Sequence, residues 1–176
     1  MEPTRRLLAW FAANARDLPW RGAGRTPYRV LVSELMLQQT RVDRVAPRFE
    51  AFVARFPDLG GLAGASQEEV LAAWSGLGYY RRARLLHRLA RQLVAEGRGL
   101  PAEVEQLRRL PGIGPYTAAA VATVAFDRPA AVMDGNVMRV AARVLALGAD
   151  PRSAAGGRRV TAWVEGLMEE ASPAAV

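Results

Sequence analysis

Nine residues, Leu110-Pro111-Gly112-Ile113-Gly114-Pro115-Tyr116-Thr117-Ala118, constrain this chain more than any other stretch. Two closely spaced glycines make a tight turn, because a residue without a Cβ tolerates positive φ and close approach. Pro115 then pre-sets φ for a first helical position, and the Ala- and Val-rich run from Tyr116 to Phe126 continues as a helix. Free amides and the positive end of that helix face whatever docks at the turn, which suits an anion such as a phosphate. The turn alone fits an ordinary corner between packed helices equally well.

Charge favours the anion. The chain carries a formal net charge of +7 and a pI near 11.0, so a polyanionic partner is expected. The apolar stretches are interrupted too often to span a bilayer, which places nucleic acid ahead of membrane. All 24 basic residues are arginine. A GC-rich genome explains most of that bias, and arginine forks onto phosphates at least as well as lysine does. Without a lysine, a covalent imine could form only at the N-terminal amine. Without a cysteine there is no disulfide, thiolate nucleophile or Cys-ligated metal, and with one histidine a His-based metal site or triad is not expected. The N-terminus lacks the apolar core of a signal peptide, so a cytoplasmic location is expected.

Helical spacing runs nearly throughout, so the expected fold class is all-α with many short helices. Thr4 is read as the cap of a first helix burying Leu7, Leu8 and Phe11. Further helices are expected over Tyr28–Leu37, Arg41–Phe56 with Pro47 bending it, and Arg81–Ala95, with a capping box at Ser66–Glu69 ahead of Val70 and Trp74. Pro101 should start a short helix. Others are expected over Val137–Leu147, with Asn136 a natural cap, and from about Arg158 to Glu170. The closing phrase, Ala171 to Val176, reads as a chain cut from something longer.

Two carboxyl groups stand apart. Glu34 lies in the mostly apolar helix Val30-Leu31-Val32-Ser33-Glu34-Leu35-Met36-Leu37. At a helix edge it reaches solvent; if buried, desolvation raises its pKa and makes it a usable acid near neutral pH. Asp134 precedes Gly135-Asn136, a natural turn, and a carboxylate at a helix start is also held ionised by dipole and amide contacts. A neutral acid beside a charged carboxylate is the pair that glycosidic-bond cleavage needs. Gln38-Gln39-Thr40 and Gly76-Leu77-Gly78-Tyr79-Tyr80-Arg81-Arg82 place polar and aromatic side chains at turns, where they suit insertion into a base stack as well as a lid on a core. His87, among leucines of the basic helix, is read as packed.

These phrases, together with Leu18-Pro19-Trp20-Arg21 and Trp74 to Arg84, follow one another over positions 18 to 143. In that order the chain resembles the helix–hairpin–helix DNA glycosylase superfamily, and within it the adenine glycosylases acting on mismatches with guanine or 8-oxoguanine. Members that also cut the strand carry a lysine where Tyr116 stands, so the resemblance is to the monofunctional branch. A thymine glycosylase acting on T·G pairs is the alternative within the superfamily.

The resemblance implies two helical lobes: a barrel over 26–129 holding the hairpin, and a second lobe from 1–25 plus 130–176. It implies that Glu34 protonates the adenine, that Asp134 stabilises the sugar's anomeric carbon, and that Tyr116 and Asn136 orient them. Trp20 and Arg21 would wall the pocket of the flipped base. Gln39, Thr40, Leu77 and Tyr79 would enter the duplex, and the backbone of Gly112, Ile113 and Gly114 would hold a phosphate, where a cation often assists. The implied partner is double-stranded DNA with a mismatched adenine, bound by a monomer at a bacterial nucleoid. Intact members continue into a four-cysteine loop holding a [4Fe-4S] cluster, for which this chain has no cysteine, so a fragment ending before that loop is expected. Outside the superfamily, the competing reading is a non-catalytic helical DNA-binding module.

Overall fold

A computed structural model describes residues 2–22 and 24–171, without the side chains of Glu2 and Pro3; the closing phrase beyond Ala171 lies outside them. Every regular element among the described residues is helical. In chain order these are α1 (Glu2–Asn14), α2 (Pro27–Leu37), α3 (Val42–Arg55), α4 (Leu59–Gly64) and α5 (Gln67–Ala73), then α6 (Arg81–Ala95), α7 (Val104–Leu107), α8 (Pro115–Phe126), α9 (Gly135–Val144) and α10 (Ala154–Glu169).

Helix α2 sits at the centre. Thr26 caps it, Pro27 occupies its first turn, and α3, α6 and α8 pack around it, leaving Glu34 half-buried in its middle. The pattern Val30-Leu31-Val32-Leu35-Met36 explains this, since a helix that is apolar nearly all round is stable only when surrounded. Phe49 and Phe52 of α3 and Trp74 complete this core, with the Phe52 ring edge-on to Phe56 at 5.1 Å and to Trp74 at 5.7 Å. A second, smaller cluster joins α9 to α10 through Ala141, Val160, Val164 and Met168.

Several expected boundaries shift for identifiable reasons. Thr4 does not cap α1 but lies within it, and its hydroxyl donates to the Glu170 carboxylate at 2.6 Å, tying the two chain ends together. Asn136 does not cap α9; Asp134 does, accepting from the amides of Asn136 (2.9 Å) and Val137 (2.7 Å). Helix α4, unforeseen because its sequence is half glycine, is capped by Asp58 and held by packing on α6. Helix α10 starts before Arg158, at Ala154, under a Ser153 cap. Gly156 there packs so closely on the Asp150 carbonyl that a Cβ would lie 2.2 Å from its oxygen. The short helix expected at Pro101 begins at Val104, and α9 ends at Val144, before the left-handed Ala146. Ser66 and Glu69 form the expected capping box, and α3 continues through Pro47.

Phe52 is fully buried with two ring partners, so truncation leaves a cavity that this aromatic layer cannot close. Phe52→Ala should lower the unfolding free energy by about 3–5 kcal/mol, read as a fall in the denaturant midpoint at unchanged slope.

Candidate active site and DNA-facing turns

The edge of α2 that is not enclosed carries Glu34, and it opens into a cavity of about 560 Å³. Glu34, Arg21, Tyr116 and Asn136 line its polar side, and Leu7, Phe11, Val132, Val140 and Trp163 are among its apolar walls. Four separate segments therefore converge: α1 with the Arg21 turn, α2, α8, and the α9–α10 unit. The volume suits a small aromatic guest, and a mostly apolar cleft with few polar groups is the usual build of a binding pocket.

Burial pushes the Glu34 carboxyl up to about 7, with the facing charge of Asp134 raising it further and Arg21 partly opposing. The helix-edge and buried readings of Glu34 thus merge: the side chain is half-buried at an edge that faces a partly open cleft. Tyr116, at the start of α8, has its hydroxyl pushed up to about 12 by burial and by the same two carboxyl groups, so it remains a proton donor. Asp134 acts on Glu34 by its charge but is not among the residues lining the cavity, and a fixed route positions it. The left-handed Asp127 ends α8, and the Thr123 hydroxyl donates to the carbonyls of Arg128 (3.1 Å) and Ala130 (3.0 Å), directing the chain back to the start of α9. There the Asp134 carboxylate also accepts from Asn136 Nδ2 at 3.1 Å, and Asn136 Oδ1 accepts from Arg139. A positive helix end and three N–H donors hold this carboxylate in one orientation.

The other expected residues fall into two groups. At the hairpin, Gly112 adopts φ +80° and lies against α6, where a Cβ would come 2.8 Å from Leu85, so glycine is required twice over. Gly114 differs from expectation: its φ of −86° is ordinary, and its place at the N-terminus of α8 without a side-chain cap leaves first-turn amides available. Ile113 turns its side chain into the core, while its amide closes the turn on Leu110. At the other turns, Gln39 and Tyr79 are exposed, Tyr79 at 60%, and both have left-handed backbones; Thr40 is half-buried.

Two residues sit otherwise than expected. Trp20 is 7% exposed, edge-on to Phe49 at 5.2 Å, and is not among the cavity's lining residues; the larger core claims it because its indole fits beside α3. Leu77 is only 5% exposed, part of the same core, so Tyr79 is the side chain presented at that tip. His87 is buried, as read. Sequence reasoning missed Trp163 and Arg25 in the cavity; Arg82 fell within a candidate turn, but its burial in a helix whose Arg81, Arg84 and Arg88 face solvent was not foreseen.

No group of three or more metal-ligating side chains exists among the described residues, and a chain without cysteine offers an iron–sulfur cluster no thiolate. No described helix is long and apolar enough to cross a membrane.

Comparison with known proteins places this geometry. Residues 32–164 match the HhH-GPD superfamily of base excision DNA repair proteins, and the chain belongs to that family. It is 45% identical to the adenine DNA glycosylase of Mus musculus over 95% of its own length and 34% of the relative's. It is 46% identical to that of Mycolicibacterium smegmatis over 82% and 50%. The chain thus spans between a third and a half of these relatives. Among solved structures, a thermostable thymine-DNA glycosylase superposes with a TM-score of 0.84 at 25% identity, covering 99% of this chain and 82% of that one. Endonuclease III in a non-covalent DNA complex superposes at 0.76 and shares the fold at 19% identity, covering 99% and 81%.

The raised Glu34 pKa has a stability consequence. The folded state holds the proton more tightly than the unfolded chain, so stability from this group is full below about 4.5 and is lost as pH rises through about 7. Thermal unfolding should therefore show Glu34→Gln more stable than wild type above pH 7, with the difference vanishing towards pH 4.5; a constant difference would contradict it.

Proposed function

We propose that this chain carries the catalytic centre of a monofunctional adenine DNA glycosylase, which hydrolyses the N-glycosidic bond of adenine mispaired with 8-oxoguanine or guanine. The observation that carries the proposal is Glu34, a carboxyl pushed up to about 7 in a cleft of base-sized volume and facing Asp134. Glu34 donates its proton to N7 of a flipped adenine, which makes the base a neutral leaving group as the bond from C1′ to N9 breaks. Asp134 stabilises the positive charge that develops on the sugar. Water then adds at C1′, and its proton passes to a carboxylate, restoring the starting state. Tyr116 and Asn136 keep the two groups in place, and Arg21 lines the base pocket.

The absence of any lysine supports hydrolysis without strand cleavage through an imine. The basic balance supports double-stranded DNA as substrate, with the hairpin amides at α8 on a phosphate. A bacterial nucleoid is the location this reading implies. Curated relatives of 45–46% identity favour adenine; the thymine-DNA glycosylase likeness favours release of thymine from T·G pairs as the second reading.

Single-turnover base release from duplexes holding A·8-oxoguanine, A·G, T·G and A·T pairs tests both readings. Adenine release is expected from the first two. Glu34→Gln should retain duplex binding and lose release by about a thousandfold or more, since an amide donates no such proton. The rate should fall as pH rises through about 7, where the acid form of Glu34 is lost. Thymine release would select the second reading. Binding unaltered by Glu34→Gln with no base release from any duplex would reduce the chain to a binding module.

A further inference from the structure

Arg82 occupies a place that nothing in the proposed chemistry uses. It lies in the first turn of α6, 8% exposed, in a helix whose Arg81, Arg84 and Arg88 are all solvent-facing. Its guanidinium reaches two separate turns at once. Nη1 donates to the carbonyls of Leu35 (2.7 Å) and Met36 (3.0 Å) and to that of Gln38, all at the C-terminal end of α2. Nη2 donates to the Thr40 hydroxyl (3.2 Å) and to the carbonyls of Gly78 (3.2 Å) and Leu77 (3.4 Å). The guanidinium also stacks between aromatic rings, 5.2 Å from the centre of Tyr79 and 5.6 Å from Trp74.

This pattern does three things together. The last carbonyls of a helix have no partner of their own, and a cation there also meets the negative end of the helix dipole. Arg82 therefore caps the helix that carries Glu34. It also holds Gln39 and Tyr79, two non-glycine residues with φ of 56° and 47°, a conformation that persists only where the surroundings impose it. Finally, the Gln38 side chain donates to the Thr117 hydroxyl at 3.1 Å, next to Tyr116, so the same unit is bonded to the hairpin helix. A lysine could not do this, because a point ammonium lacks the planar fork that serves both turns.

We propose that Arg82 is a positioning residue that locks the tips Gln38–Thr40 and Leu77–Tyr79 into one rigid unit, setting the spacing between the side chains that meet the duplex and Glu34. The positioning role rests on the glycosylase reading; the mechanical coupling of the tips does not. The two are therefore measured separately. Amide hydrogen exchange of the whole chain, followed by mass spectrometry, reads the coupling. In Arg82→Lys, peptides covering 38–40 and 77–79 should both exchange about tenfold faster or more, while the core of α3 is unchanged. Thr40→Val removes one hydroxyl without unfolding α2, and it should loosen both tips although it belongs to only one. Loosening of a single tip, or of neither, in these variants overturns the coupling; if Arg82→Lys fails to fold, Thr40→Val decides it alone.

The single-turnover rates read the positioning role. The ratio between adenine release opposite 8-oxoguanine and opposite guanine depends on how the tips meet the opposing base. It should fall several-fold in Arg82→Lys, and the pH at which the rate declines should stay near 7 because Glu34 is untouched. A variant that is merely less stable would leave the ratio at the wild-type value, and that result overturns the positioning role. Wild-type protein that releases no base from any duplex would sink the glycosylase reading and the positioning role with it, while the exchange experiment still decides the coupling.

Discussion

Glu34 stands in the wall of the cleft with the Asp134 charge acting against its ionisation, and the arrangement of this protein follows from how that conflict is settled. Asp134 is given three N–H donors and a helix N-terminus. Glu34 is given apolar neighbours, the facing carboxylate and only a partly opposing Arg21. The environments are unequal by construction, so the proton goes to Glu34. Everything else keeps those environments unequal. Helix α2 must be buried to desolvate Glu34, and α8 must end in a left-handed residue for the chain to bring Asp134 back.

The scaffold around this pair is held by local chemistry of a few kinds. Helix starts are fixed by caps at Thr26, Asp58, Ser66, Asp134 and Ser153, each supplying the acceptor that a helix start needs. Aromatic edges in the larger core fix how α3 sits against Trp74 and Trp20. Thr4, bonded to Glu170, ties α1 to the end of α10, and Leu7, Phe11 and Leu167 from these two helices line the cleft. The surface ion pairs, such as Arg55 with Glu69, are exposed and contribute little.

Much of this was legible in the residues. The continuous helical period and the capping box pointed to an all-α fold, and the two glycines with Pro115 pointed to a tight turn feeding α8. The two important carboxyl groups could also be picked out, one by its apolar neighbours and one by the turn it begins. What periodicity could not show is which face of α2 is open, because that depends on segments far apart in sequence, from Leu7 to Met168. Trp20 was misplaced because a Trp beside an Arg reads alike as a pocket wall and as a core side chain; only Phe49 across the fold decides it. Arg82 fell within a candidate turn, but its role was hidden for the opposite reason. Its neighbours in sequence are solvated arginines, and its six acceptors lie at scattered positions from Leu35 to Gly78.

The central claim is electrostatic: Glu34 holds a proton near neutral pH because of burial and Asp134. Carbon-detected NMR titration of the glutamate side-chain carboxyls, with Glu34→Gln used to assign the resonance, measures it directly. The account predicts a midpoint near 7 that moves towards the ordinary value of 4.5 in Asp134→Asn. A wild-type midpoint already at about 4.5, or one that Asp134→Asn leaves unmoved, would contradict it.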